Sequence, residues 1–205
     1  MRIGCLHTAA SNVAVLERAA TSFEGVSLRH IVRPDLLAAA GRAGLTSAIA
    51  AETRIALDEL AVDCDAVLLT CSSLGGVIDD VAASAVPMLR VDRALAERAV
   101  ADGGRVIVLC AAPSSVEPTG ILFRQAAQAT GAAIDMRLVP HAWTDFLAGD
   151  LARYHARIAG AVAARGEAET VALAQVSMAD AVVPSARVLT SPVIGLAAAV
   201  AAARR

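Results

Sequence analysis

The sequence predicts an α/β protein of two pseudo-symmetric lobes, each a four-stranded parallel sheet flanked by helices. Three observations carry this. Short, nearly continuous apolar runs alternate with Ala-rich helical stretches along the 205 residues, the pattern of parallel strands covered on both faces. Strand ends also repeat along the chain. Residues 2–9 lie 103 positions before 105–112, residues 66–73 lie 104 before 170–177, and residues 88–90 lie 100 before 188–190. One such match would be noise, but three in order point to two similar units. Finally, no Pro- or Ser-rich linker separates independent domains.

Strands are expected at 2–7, 26–32, 66–71, 87–91, 105–110, 134–139, 170–175 and 187–190. The first is entered directly from Met1-Arg2 through Ile3-Gly4-Cys5-Leu6-His7. Helices are expected near 11–22, 44–61, 76–84, 93–102, 117–130, 143–165 and 193–204. Each would link parallel strands by a right-handed crossover.

Composition removes several function classes. Ala fills 49 of 205 positions, all 18 basic residues are Arg, and there is no Lys. That excludes a lysine Schiff base, hence the usual pyridoxal phosphate attachment, and a P-loop. A G+C-rich coding bias accounts for the Ala and Arg. A net charge of −2 argues against a nucleic-acid surface. No basic run flanks an apolar stretch, and the 193–203 stretch is about half the length that spans a bilayer. A cytoplasmic protein without a membrane partner is expected, since no signal-peptide apolar region follows Met1. Cys5, Cys64, Cys71 and Cys110 form no CxxC pair and are expected to be thiols. No His/Cys/Asp spacing along the chain points to a metal site. Gly75-Gly76 is not a dinucleotide fingerprint, and Trp143, Tyr154 and three Phe are few for stacking on a flavin.

Ligands bind beyond the carboxyl ends of parallel strands, and polar residues crowd those ends here. The first strand runs into His7-Thr8 and then Ser11-Asn12. The third runs into Thr70-Cys71-Ser72-Ser73-Leu74-Gly75-Gly76, the fifth into Ser114-Ser115-Val116-Glu117-Pro118-Thr119, and the seventh into Gln175-Val176-Ser177. Cys71 is the best candidate for chemistry. A strand-to-helix junction surrounds its thiol with backbone N–H groups that favour the thiolate and lower its pKa. The N–H groups of Ser72, Ser73 and Leu74 can also hold a carboxylate. Cys5, Cys64 and Cys110 read as small buried side chains. His7 lies at a strand end and His141 follows Pro140, both weaker candidates. By the internal repeat, Gln175 occupies the position equivalent to Cys71.

Leu68-Leu69-Thr70-Cys71-Ser72-Ser73, the run 173–180, the loop 114–119 and the two-lobe layout resemble the aspartate/glutamate/hydantoin racemase superfamily over nearly the whole chain. The resemblance implies an active site in a cleft between the lobes, with a cysteine at the end of each third strand. One thiolate would remove the proton α to a carboxylate and the other would reprotonate the opposite face, with no cofactor or metal. It also implies a first lobe of 1–93 plus 193–205 and a second of 94–192, the last helix returning to the first lobe. Cys71 matches the first cysteine. Gln175 stands where the second belongs, and an amide cannot exchange protons near neutral pH.

The expected function is therefore a cofactor-independent, racemase- or isomerase-like enzyme acting on a small carboxylate, with Cys71 as acid/base. Ser72, Ser73 and Ser177 would bind carboxylate oxygens, helped by Thr8, Ser114, Ser115, Thr119 and the backbone at Val176. Gln175 would orient the substrate or hold an oxyanion. Two alternatives stand beside it. One is a one-cysteine decarboxylase or lyase, as in the related arylmalonate decarboxylases, which keep their cysteine in the second lobe. The other is a non-catalytic carboxylate-binding protein. A homo-oligomer is compatible with all three.

Overall fold

The structure, a computed structural model, describes residues 1–79, 84–166 and 169–205. The first half builds β1 (Arg2–His7), α1 (Ser11–Ala20), β2 (Ser27–Val32), α2 (Pro34–Ala43), α3 (Ser47–Ala61), β3 (Ala66–Leu69), α4 (Gly76–Asp79) and β4 (Met88–Arg90). The second builds α5 (Val91–Val100), β5 (Arg105–Cys110), α6 (Pro113–Ala127), β6 (Ala133–Leu138), α7 (Ala142–Leu147), α8 (Leu151–Ala163), β7 (Thr170–Leu173), β8 (Val188–Thr190) and α9 (Ser191–Ala203). The strands form two all-parallel sheets of order β2-β1-β3-β4 and β6-β5-β7-β8. The sequence echo is a register echo. Ile3 pairs with Ala66 as Val106 pairs with Thr170, and Val67 pairs with Met88 as Val171 pairs with Val188.

Both sheets are covered on both faces, which explains the continuous apolar strands. One face of the first sheet buries Leu6, Val67 and Leu69 against α2 and α3, and one face of the second buries Ile107, Leu109 and Val171 against α8. The remaining faces are covered by an exchange of helices. Leu95, Ala96 and Ala99 of α5, which follows β4, pack on Val106 and Val108 of the second sheet. Leu196, Ala199 and Val200 of α9, which follows β8, return to Ile3, Ala66 and Leu68 of the first. The two exchanged helices meet at Gly195, where a Cβ would lie 2.5 Å from Val91 Cγ2. Only glycine lets them approach this closely.

The helices depart from expectation in three places. Helix α2 lies in a stretch expected to be loop, and Pro34 starts it with a preset φ. Gly44, at φ 70°, ends it, and Thr46 then caps α3 by accepting from the Ile49 N–H at 3.4 Å. The expected long helix 143–165 is two helices. Gly149 turns at φ 75° and the Asp150 carboxylate caps α8 by accepting from the Arg153 N–H at 3.0 Å. The expected helix 76–84 reaches beyond the described residues after Asp79. Among the described residues, no helix is long and apolar enough to cross a membrane.

Candidate active site

The carboxyl ends of β3 and β7 face one cleft. Their backbones match. Cys71 is extended at φ −114°, ψ 110° and leads into a 3₁₀ turn at Ser72–Leu74. Gln175 is extended at φ −109°, ψ 144° and leads into a 3₁₀ turn at Val176–Ala181. The N–H groups that open such turns have no acceptor within the turn. Cys71, Ser72 and Ser73 line the cleft from one side and Gln175, Val176 and Ser177 from the other, with Thr8 and Ser115 beside them. Leu37, Trp143 and Phe146 form an apolar wall, on which the Trp143 and Phe146 rings stack at 5.3 Å. None of the described residues lining the cleft carries a formal charge.

Cys71 is 8% exposed. Burial pushes its thiol above the ordinary range, opposed by hydrogen bonds from the Thr8 hydroxyl and the N–H groups of Leu74 and Ser73. This corrects the expectation of a lowered pKa. The junction supplies the expected N–H groups, but desolvation outweighs them, and the charge of Asp92 adds to the rise. Asp92 is itself held by a buried bidentate pair with Arg90, at 2.9 Å for both contacts. The Arg90 guanidinium lies where a Cβ at Gly75 would be, so the first glycine of the pair makes room for the arginine beneath the Cys71 turn.

Gln175 does not reach for a ligand. Its Oε1 accepts from the Ala111 N–H at 2.7 Å, and its Nε2 donates to Ser115 Oγ. Ser115 in turn donates to the Ala112 carbonyl at 2.7 Å. The amide thus closes the end of β7 onto the loop after β5, rather than presenting a free oxyanion donor.

The other expected residues divide. Ser72 Oγ donates to the Ala174 carbonyl at 3.3 Å, and Ser73 and Ser114 hydroxyls meet at 3.0 Å, so both contacts stitch the two lobes together. Ser177 Oγ lies 2.8 Å from the Tyr154 hydroxyl, and His155 Nε2 donates to the Ser177 carbonyl at 3.1 Å. Ser114 lies outside the cleft lining, in the adjoining groove beside Ser73. Thr119 is fully buried near the Cys110 thiol and outside the cleft lining, and its hydroxyl finds no hydrogen-bond partner among the described residues. The Val176 side chain packs into the first lobe's core, leaving only its backbone to the site. His7 is fully buried behind Thr70, bonded to its hydroxyl at 2.8 Å. His141 caps α7 in a left-handed turn at φ 61°.

Sequence reasoning passed over Asn12 as one more polar residue near a strand end. It is buried in the first turns of α1, lines the cleft, and its Oδ1 has no hydrogen-bond partner among the described residues. A buried acceptor without a partner is costly, and the residue that carries it lines the cleft.

No protein-family model and no curated protein sequence matches the chain. Solved structures do. The chain superposes on an aspartate racemase from Picrophilus torridus with a TM-score of 0.70 at 13% identity, covering 99% of this chain and 94% of that one. An aspartate racemase homologue from Pyrococcus horikoshii gives a TM-score of 0.65 at 14% identity, covering 100% and 99%. An allantoin racemase from Pseudomonas fluorescens gives 0.60 at 15% identity, covering 100% and 91%. Over nearly its full length this protein therefore shares the fold of these racemases.

Proposed function

We propose that the chain is a cofactor-independent enzyme that moves a proton at the carbon α to the carboxylate of a small acid, with Cys71 as acid/base. The observation that supports this is the cysteine's surroundings. Its thiol borders the cleft among hydrogen-bond donors, and every other residue lining that cleft is apolar, a hydroxyl, an amide or the Trp143 indole. With no charged side chain there among the described residues, the substrate carboxylate is met by the first N–H groups of the two 3₁₀ turns and by the hydroxyls of Thr8, Ser73 and Ser177. The unpartnered Asn12 Oδ1 takes an N–H of the substrate, as an amino acid or a hydantoin would provide. The substrate's remaining group is neutral and apolar, packed on Leu37, Trp143 and Phe146.

The Cys71 thiolate takes the α-proton, and the electron pair of the broken C–H bond moves onto the carboxylate oxygens facing those N–H groups. The same thiol returns a proton to the same face, because the Gln175 amide opposite is not an acid. A second reading is favoured by the raised Cys71 pKa, which keeps the thiol protonated at rest. In it the C–C bond of a malonate-type acid breaks, CO₂ leaves, and Cys71 protonates the resulting carbanion before water restores the thiol.

The test is α-hydrogen exchange in D₂O, followed by NMR, over amino acids, hydantoins and 2-aryl acids, with CO₂ release from substituted malonates measured alongside. One of the two activities should appear and fall by roughly 10²–10⁴-fold in Cys71→Ala, the range for a positioned proton carrier. An acid that binds but neither exchanges nor loses CO₂ would make this a carboxylate-binding protein instead.

A further inference from the structure

Side chains alternate along a strand, so Cys5 and His7 of β1 share one face of the first sheet. The parallel register sets Cys5 directly opposite His30 of β2. Three residues that are scattered along the chain therefore meet, with one donor atom of each within 4.8 Å of the other two. Cys5 and His7 are fully buried, while the His30 side chain keeps 15% of its exposure. Cys64 lies over Gly4, on the opposite face of the sheet.

The hydrogen bonds assign the ring protons. The Thr70 hydroxyl donates to the Leu6 carbonyl at 3.0 Å, so toward His7 Nδ1, 2.8 Å away, it accepts. His7 therefore carries its proton on Nδ1 and turns the bare Nε2 lone pair toward His30 Nδ1, 2.8 Å away. On its far side His30 Nε2 donates to Glu17 Oε1 of α1 at 2.9 Å. Each imidazole is thus anchored through its outer nitrogen, one to a hydroxyl and one to a carboxylate, while the inner nitrogens and the Cys5 thiol converge. Metal-ligating histidines are oriented in this way.

We propose that Cys5, His7 and His30 form a zinc site, with water as the fourth ligand, that fastens the edge strand β2 to β1. One thiolate and two imidazoles suit Zn²⁺ rather than the hard ions Mg²⁺ or Ca²⁺. Binding releases the thiol proton of Cys5 and the Nδ1 proton of His30 to solvent. Tetrahedral zinc separates two ligating nitrogens by about 3.3 Å, so His30 moves outward by about half an ångström, toward the side where it is exposed. Glu17, at the surface, sits where the ion enters.

The test uses the full-length protein, stripped with a chelator and titrated with Zn²⁺ or, as a spectroscopic probe, Co²⁺. Wild type should bind one equivalent of zinc, with a rise in melting temperature. Its Co²⁺ form should show a thiolate charge-transfer band in the near ultraviolet and the intense visible bands of a tetrahedral site. Cys5→Ser should lose the charge-transfer band, Glu17→Gln should weaken zinc binding about 10–100-fold, and Cys71→Ser should keep both band and affinity. Should Cys5→Ser fail to fold, His30→Gln, at the partly exposed edge, carries the test through loss of the tetrahedral spectrum. No charge-transfer band in wild type, a band that survives in both Cys5→Ser and His30→Gln, or one lost in Cys71→Ser would overturn the proposal.

Discussion

The end of β3 and the end of β7 share a backbone course and a place in the same cleft, yet they are furnished differently. At the first, the Thr8 hydroxyl and two turn N–H groups surround a thiol. At the second, the position equivalent to Thr8 is Ala111, which brings no side-chain donor, and its N–H is taken by the Gln175 amide. One end presents a thiol to the cleft, and the other is closed by a hydrogen-bonded plug. The strand order and register repeat because they follow from the apolar pattern and its pairing. The chemistry does not repeat, because it depends on a single residue at each end. A duplicated scaffold can therefore keep two-sided geometry while, on the proposed reading, only one side would transfer protons.

The most forceful way to break this asymmetry is Gln175→Cys. A second thiol facing Cys71 should add protonation from the opposite face and speed racemisation of an accepted acid by about 10²–10⁴-fold, as read by chiral chromatography. The structure adds a cost. The buried Ala111 N–H loses its acceptor, so the variant should be less stable by about 1–3 kcal/mol in denaturant titration. A gain in racemisation with no loss of stability would show that the amide plug holds nothing.

The lobes also differ in how they meet acid. His7 and Cys110 occupy equivalent positions at the ends of β1 and β5. Burial, and then the neighbouring His30, push the His7 pKa down to about 3, while burial pushes Cys110 up to about 11. The unfolded chain binds a proton at histidine near pH 6.5, well before folded His7 does. Its share of stability is therefore intact above that pH and is lost as pH falls toward 3, by on the order of 4 kcal/mol in the metal-free protein. Cys110 stays neutral throughout that window. Hydrogen exchange at pH 4 should show β1 and β2 opening before β5 and β6, and His7→Gln should flatten the acid dependence. Simultaneous opening of both sheets would remove the contrast.

A smaller effect is expected at Thr8. Thr8→Val removes one hydrogen bond to the Cys71 thiolate, worth about 1.5–3 kcal/mol. That lifts the thiol pKa further and moves the pH dependence of iodoacetamide labelling at Cys71 to higher pH. Unchanged labelling would mean that the N–H groups of Ser73 and Leu74 carry the thiolate alone.

Much of this was legible in the residues. All eight strands lie where apolar runs place them, and the offsets of 103, 104 and 100 are the register offsets of the two sheets. Cys71 and Gln175 could be set opposite one another because a repeated strand end has one equivalent partner. What escaped depends on side-chain direction and on contacts distant in sequence. Nothing in the run 173–178 shows that Gln175 folds back onto Ala111, or that Thr119 turns toward Cys110. Burial outweighs the N–H groups at Cys71, and burial is a property of the whole packed lobe. Cys5, His7 and His30 have no metal-like spacing, since parallel pairing of β1 with β2, across the α1 crossover, is what brings them together.

The claim that one lobe alone carries the proton is tested most directly by the stereochemical course of exchange. An enantiomerically pure acid that the protein accepts is incubated in D₂O, and deuterium uptake and enantiomeric excess are read from the same time points. The account predicts that deuterium enters at the α-carbon with configuration retained, and that both uptake and retention depend on Cys71. Loss of enantiomeric excess at the rate of deuterium uptake would contradict it, since a second proton carrier would then have to face Cys71 from the Gln175 side.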